Sequence, residues 1–164
     1  MTPETLLAHE ISRQADEFYP EAERFGAWMA AADGMRRAQV SQLEAIVNSA
    51  LKVADVLDFL KRQTGRAKPR TTWRSSSPEP VGGTGAAAER PAEAQILGAA
   101  LIEYIQKRLV TSRDKVLQAI KEQGHEVRPE RAQEVYLALI RAFVAQAAAH
   151  YTFKAGGNSG ADAQ

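Results

Sequence analysis

The stretch RRAQVSQLEAIVNSALKVADVLDFLKRQTGR, residues 36–66, decides the fold class of this chain. Its apolar residues recur in steps of three and four, the spacing that places side chains on one face of an α-helix. The stripe is wider than the seam of a two-stranded coiled coil, which favours a helix packed in a bundle core. We therefore predict one long helix that ends near Gly65, a residue suited to the position just after a helix C-terminus. The stripe consists of Val40, Leu43, Val47, Ala50, Ala54 and Leu57, widened by Ile46, Val53, Val56 and Leu60.

The N-terminal segment carries the signals of two further helices. Thr2 is a suitable N-cap and Pro3 suits the first helical position, so the first helix should begin there. Pro20 should end it, because proline lacks the N–H that continues a helix. A short second helix should follow and stop at the turn Asp33-Gly34. For the aromatic residues of this segment we predict core packing, with an exposed patch for a neighbouring subunit as the alternative. These residues are Phe18, Tyr19, Phe25 and Trp28.

The C-terminal part predicts three more helices. One starts near Ile96, a short one capped by Thr111 and Asp114 ends at Gly124, and the last starts at Pro129. No period-two alternation is sustained anywhere, so strands are not expected. The fold class is therefore all-α, a bundle of five to six helices. It should comprise two halves, residues 1–65 and 92–154, with a disordered tail over 155–164.

Residues 66–91 differ in composition from both halves. Proline, glycine and three successive serines leave no apolar face to bury. Such a composition predicts a long flexible linker between the two helical halves.

Composition excludes several classes of protein. The chain has 164 residues and a net charge of +1, so it can bury a core but is not a generally basic nucleic-acid coat. Cysteine is absent, which excludes disulfides and thiol chemistry. No apolar run is long enough to span a membrane, and no basic flank precedes an apolar run at the N-terminus. We expect a cytoplasmic protein without a membrane contact.

No catalytic or metal-binding motif is present. The three histidines, at positions 9, 125 and 150, are far apart in the sequence, and Gly124 interrupts the single Glu-x-x-His pair. The glycines at 82, 83 and 85 lack the lysine of a phosphate-binding loop. We therefore expect no enzyme, no metal and no cofactor.

Positive charge is concentrated where the long helix meets the linker. No Asp or Glu occurs from Phe59 to Pro78, a range that holds six cations and Trp73. Clustered cations beside a ring that can stack on a base suit a nucleic-acid backbone. The alternatives are a solvated helix end, whose cations complement the helix dipole, and a Trp73 ring docked on the protein itself. The six cations are Lys61, Arg62, Arg66, Lys68, Arg70 and Arg74.

A second basic element begins the long helix. Arg36 and Arg37 place positive charge where it opposes the helix dipole, which favours an external partner, either an acidic residue or a phosphate. The C-terminal half could extend the basic surface through Lys107, Arg108 and Arg113.

Two segments resemble a known family. MRRAQVSQLEAIV (35–47) and LIRAFVAQAAAHYTFKAGG (139–157) are similar to segments of the small helical subunits of type III CRISPR ribonucleoprotein effectors. The resemblance covers residues 35–66 and 130–157. It implies a non-catalytic subunit that stacks as a filament beside other effector subunits and contacts the crRNA and the target RNA backbone. The basic helix face that it implies comprises Arg36, Arg37, Lys52, Lys61, Arg62 and Arg66.

Two hypotheses follow for the function. The first is a nucleic-acid-binding subunit of a larger ribonucleoprotein, whose contacts to phosphates are independent of base sequence. The second is a helical protein–protein adaptor that binds no nucleic acid, in which the basic stretch contacts an acidic partner.

Overall fold

The structure of the chain is a computed structural model, and it describes residues 1–78 and 96–162, with side chains up to residue 157. It consists of α-helices, which confirms the all-α fold class. The described residues form five α-helices, one 3₁₀ turn over Thr72–Arg74 and a single isolated bridge between Ser76 and Ile96. The helices are α1 (Pro3–Ala31), α2 (Arg37–Ser49), α3 (Val53–Arg66), α4 (Leu97–Glu122) and α5 (Pro129–Asp162).

Helix α1 begins as the sequence predicts and then continues through Pro20. The Thr2 hydroxyl accepts a hydrogen bond from the Thr5 N–H at 3.1 Å, as expected of an N-cap. Pro20 does not end the helix, so that prediction is wrong. An interior proline costs about 3 kcal/mol in an isolated helix. Here Phe18 and Ala22 are completely buried on either side of it, because the same face of α1 packs along α5 before and after Pro20.

Residues 36–66 form two helices, not the single one predicted. The chain is extended at Ala50, and α3 begins at Val53. The Arg141 side chain of α5 donates hydrogen bonds to the carbonyls of Val47 and Ala50 at 3.1 and 3.0 Å. These bonds satisfy carbonyl groups that have no partner within α2, so the helix can end there at little cost.

The break moves the buried face of the second helix by one residue. Ala54 is exposed and Leu57 half-buried, whereas Val53, Val56 and Leu60 are buried. Gly65 lies inside α3, which ends at Arg66, so its prediction as a C-terminal cap is wrong.

The two helices predicted before Gly124 are one helix, α4. Thr111 and Asp114 lie within it and cap nothing, because the buried stripe continues through Leu109 and Val116. The predicted end at Gly124 is confirmed. Its φ is +84°, and the N–H groups of Gly124 and His125 donate to carbonyls of the last turn, the Schellman arrangement.

Helix α5 begins at Pro129 as predicted. It runs to Asp162, although the sequence predicted a disordered tail from residue 155. Residues 163–164 lie outside the described residues.

Helices from both predicted halves share one core. Helix α1 packs mainly along α5, with Gly26 directly against the backbone of Ala147 and Tyr151. Phe18 and Phe143 meet edge to face, their ring centroids 5.6 Å apart. Most of the N-terminal aromatic residues therefore pack inside, while Tyr19 is 48% exposed.

Helix α4 completes this core by packing against both α1 and α5. The Tyr104 hydroxyl donates to the Glu21 carboxylate at 2.7 Å, and burial together with this carboxylate raises the pKa of Tyr104.

The first part of the predicted linker belongs to the fold. The 3₁₀ turn packs against α3 and α4, and Leu97 N–H donates to Ser75 O at 2.9 Å. Residues 67–78 are therefore part of the bundle, which corrects the prediction of a flexible linker from residue 66. The rest of the predicted linker, residues 79–91, lies outside the described residues.

Candidate nucleic-acid interface

A tight turn carries the chain away from α3. Thr71 N–H donates to Lys68 O at 3.1 Å, with Pro69 at the second position and Arg70, at φ +65°, at the third. This is the pattern of a type II turn, in which the third position favours glycine or asparagine. A residue with a Cβ pays roughly 1–2 kcal/mol for the left-handed conformation. The turn thus holds Arg70 exposed and strained.

A buried tryptophan anchors the 3₁₀ turn that follows. Trp73 is only 2% exposed and belongs to the core, so the prediction that its ring is available to a nucleic-acid base is wrong. Thr72 has φ +42°, an outlier for a β-branched residue, and its N–H donates to Asp33 O at 2.7 Å. This bond places the 3₁₀ turn beside the corner between α1 and α2.

Three of the predicted cations line one groove. Lys61 from α3, Arg70 from the turn and Arg74 from the 3₁₀ turn surround an open groove of about 650 Å³. Its apolar surface includes Pro69 and three residues at the start of α4, which are Ile96, Ala99 and Ile102. Residues that are separated in the sequence thus form one surface with three cations and an aliphatic floor, which we call the basic groove.

The other cations of α3 and the turn lie near the basic groove but do not line it. Arg62 and Arg66 are about 100° and 140° further around α3 than Lys61, because each residue advances a helix by about 100°. Both are exposed, and so is Lys68 in the turn. They extend the positive charge from the groove over the outer side of α3.

Arg36 and Arg37, at the start of α2, lie at the same end of the bundle as the basic groove. Arg36 follows Asp33 by three residues, and Asp33 O is bonded to the 3₁₀ turn. Arg37 lines a smaller groove of about 250 Å³ between α2 and α5, beside Tyr151. We call the eight cations at this end the basic end. They are Arg36, Arg37, Lys61, Arg62, Arg66, Lys68, Arg70 and Arg74.

Lys52 does not belong to the basic end. It immediately precedes α3, whereas the basic end is formed by the last turns of that helix. With a rise of about 1.5 Å per residue, Lys52 lies about 14 Å along the axis from Lys61. The prediction that Lys52 shares one basic face with the others is wrong.

Charge pairing separates the basic end from Lys107, Arg108 and Arg113, the α4 cations predicted to extend it, although other described cations such as Lys52 and Lys121 also lack an ion pair. Among the described residues, none of the eight has an ion pair or a side-chain hydrogen bond to a carboxylate, and seven of them are exposed. In contrast, Lys107 pairs with Glu103 at 2.8 Å and Arg108 with Glu21 at 3.7 Å. Arg113 pairs with Asp114 and lies over the Tyr136 ring. These three α4 cations are thus neutralised locally and do not extend the basic surface.

Sequence reasoning missed the groove floor and the cap on α2. The floor residues belong to α4, and no local signal shows that this helix starts beside Arg70 and Arg74. The bonds from Arg141 to α2 are equally non-local. The one available signal was the dipeptide Pro69-Arg70, because proline at the second position of a turn predicts its type.

Across residues 1–78 and 96–162, no group of three or more His, Cys, Asp or Glu side chains is placed to hold a metal ion. The helices there lack the combined length and apolarity that crossing a bilayer requires.

Comparison of the chain with protein-family models, with curated proteins and with solved structures finds no match.

Proposed function

We propose that this chain is a non-catalytic subunit of a ribonucleoprotein that binds the nucleic-acid backbone through its basic end. The observation that carries the proposal is the cluster of eight cations that have no carboxylate partner among the described residues, in a chain whose net charge is only +1. Mutual repulsion of these cations is unfavourable unless an anion binds them. A phosphate backbone supplies such anions at regular spacing.

The resemblance of residues 35–66 and 130–157 supports a specific assembly. In a type III CRISPR effector, the basic end would contact the crRNA and target RNA backbone, and copies would stack beside the other subunits. Such contacts carry no base information, so binding should be independent of sequence.

A salt series with matched variants tests this proposal. The first variant, K61A/R70A/R74A, removes the three cations of the basic groove, none of which pairs with a carboxylate of the described residues. The control variant, K107A/K115A/R131A, removes the same net charge from cations that pair with carboxylates, at 2.8, 3.5 and 3.2 Å. Exposed pairs of this kind contribute about 1 kcal/mol or less, so the control should fold.

The measurement is fluorescence anisotropy of a labelled single-stranded RNA at several salt concentrations. For single strands each phosphate contact contributes about 0.7 to the slope of log K against log salt, so the first variant should lose about 2 from its slope. The wild-type protein should then lose about twentyfold more affinity than this variant between about 50 and 200 mM salt. The control variant should keep the wild-type slope. Equal slopes for all three proteins would refute backbone binding at the basic groove.

A protein–protein adaptor is the second candidate, because the exposed large apolar side chains of the described residues include two that lie outside the N-terminal helix and its flank. Leu51, at the break between α2 and α3, is 85% exposed, and Phe153 of α5 is 73% exposed. Aromatic side chains such as that of Phe153 are enriched at protein interfaces. A pull-down in which L51S/F153S loses a protein partner, from a wild-type chain that binds no RNA, would favour the adaptor.

A further inference from the structure

The aliphatic floor of the basic groove is not needed for contacts to a phosphate backbone. Such contacts require only cations that project into solvent, and Arg62, Arg66 and Lys68 already provide them. The groove instead places Lys61, Arg70 and Arg74 around a concave apolar surface. A surface of this composition suits a ligand that carries both an anionic group and an apolar body.

The size of the groove fits one nucleotide unit. Its volume of about 650 Å³ lies in the range of about 300–1,000 Å³ that is usual for small-molecule sites. Two guanidinium groups can bind phosphate oxygens in the bidentate manner that lysine cannot provide. The aliphatic floor can cover the face of a base or a sugar, but only if that nucleotide leaves the stack of its neighbours.

The backbone is strained at or close to both arginines of the basic groove. Arg70 has φ +65°, and Thr72, two residues before Arg74, has φ +42°. Conformations of this kind persist only where the surrounding structure enforces them, and they cluster at binding sites. Here the buried Trp73 and the bond from Thr72 N–H to Asp33 O enforce them. The backbone that carries both arginines is thus held beside the groove before any ligand arrives.

We infer that the basic groove holds a single unstacked nucleotide of a bound strand. The phosphate lies against Lys61, Arg70 and Arg74, and the base or sugar lies on Ile96, Ala99 and Ile102. This inference rests on the proposed function, and it adds a preference for single strands, since a duplex keeps its bases stacked.

Titration of the full chain with small probes tests the site without a polymer. In ¹H–¹⁵N NMR spectra, AMP should shift amides around the groove with a Kd of about 1 mM. Inorganic phosphate and adenosine, each of which lacks one half of the ligand, should bind about tenfold more weakly or not at all. Equal shifts with phosphate alone would overturn the role of the floor. Tighter binding of an end-blocked Glu-Leu-Glu peptide than of AMP would also overturn the inference, in favour of a protein segment.

Two alanines of α4 provide a matched pair of variants. Ala99 lines the basic groove, whereas the half-buried Ala119 lines a different groove, between α1 and α4. Ala99→Phe should fill the basic groove and weaken AMP binding about tenfold, while Ala119→Phe should leave it within about twofold. If Ala99→Phe does not fold, Ile102→Thr removes part of the floor without filling the groove and should also weaken AMP. Unchanged AMP affinity in the folded floor variant would overturn the inference.

The two proposals can fail separately. If K61A/R70A/R74A lowers the salt slope but AMP does not bind, the backbone contact stands and the nucleotide site fails. If AMP binds in the groove but the salt slope of strand binding is unchanged, the groove is a site for a free nucleotide and not for one of a bound strand, and the proposed function fails.

Discussion

The contact between α3 and α4 beside the basic groove leads to a prediction about Gly98. A Cβ atom added there would fall on Thr64 Oγ1 and lie 3.0 Å from Thr64 Cβ and 3.1 Å from its Cγ2. Thr64 cannot easily turn away, because its hydroxyl donates to Leu60 O at 2.7 Å. Because Thr64 Oγ1 occupies the place of the added Cβ and carbon atoms pack at about 3.5–4.0 Å, Gly98→Ala must either push the helices apart by about 1 Å or more or break the Thr64 hydrogen bond.

The expected change in stability is the balance of two terms. Overpacking of this kind lowers the unfolding free energy by about 1–3 kcal/mol, whereas replacing a helical glycine by alanine raises it by about 1 kcal/mol. Gly98→Ala should therefore destabilise the chain by about 1 kcal/mol. The control is Gly65→Ala in α3, where an added Cβ meets nothing within 4 Å. Gly65→Ala should raise the unfolding free energy by about 1 kcal/mol, so the two variants should differ in stability by about 2 kcal/mol.

Urea denaturation followed by circular dichroism measures both variants and a double-mutant cycle. Thr64→Ala removes Oγ1 and Cγ2, so in that background Gly98→Ala should become neutral or stabilising. If Gly98→Ala stabilises the otherwise wild-type chain as Gly65→Ala does, the close contact between α3 and α4 is wrong. If Thr64→Ala does not change its effect, the clash lies elsewhere.

Two further substitutions test the turn and the helix break. Arg70→Gly should raise the unfolding free energy by about 1 kcal/mol relative to Arg70→Ala, because only glycine relieves the left-handed strain, while both weaken RNA binding equally. A stability difference below experimental error would contradict the strained turn. Arg141→Ala should lower the unfolding free energy by about 1–3 kcal/mol, since it leaves the carbonyls of Val47 and Ala50 without donors, and thermal denaturation measures this loss. An unchanged melting temperature would show that these carbonyls need no cap.

The helical character of the fold was predictable because it is encoded locally. The apolar periodicity, the cap at Thr2 and the glycine turn at Gly124 each act within a few residues, and all are present in the structure. The errors concern helix ends that depend on distant residues. Burial against α5 keeps α1 helical through Pro20, and Arg141 of α5 stabilises the break after α2. Neither effect has a signature near the residues it changes.

For the candidate site too, local features were predictable from the sequence and contacts between distant residues were not. The cations of the basic end were visible in the sequence, because a run without Asp or Glu needs no structure to be recognised. Their grouping was not visible, since it depends on the bond between Thr72 and Asp33 and on the start of α4. Composition alone placed Trp73 and Lys52 in the site wrongly. Trp73 is buried in the core, and Lys52 lies at the opposite end of α3 from the basic groove.

The bond between Leu97 N–H and Ser75 O has a consequence for the order of events during translation. The floor of the basic groove belongs to α4, while its cations precede α4 by more than twenty residues in the chain. During translation, the cations of the groove therefore leave the ribosome before the α4 residues that form its floor. If the groove holds an unstacked nucleotide as we infer, that selectivity requires α4 to have emerged and docked, whereas the growing chain would attract strands by charge alone.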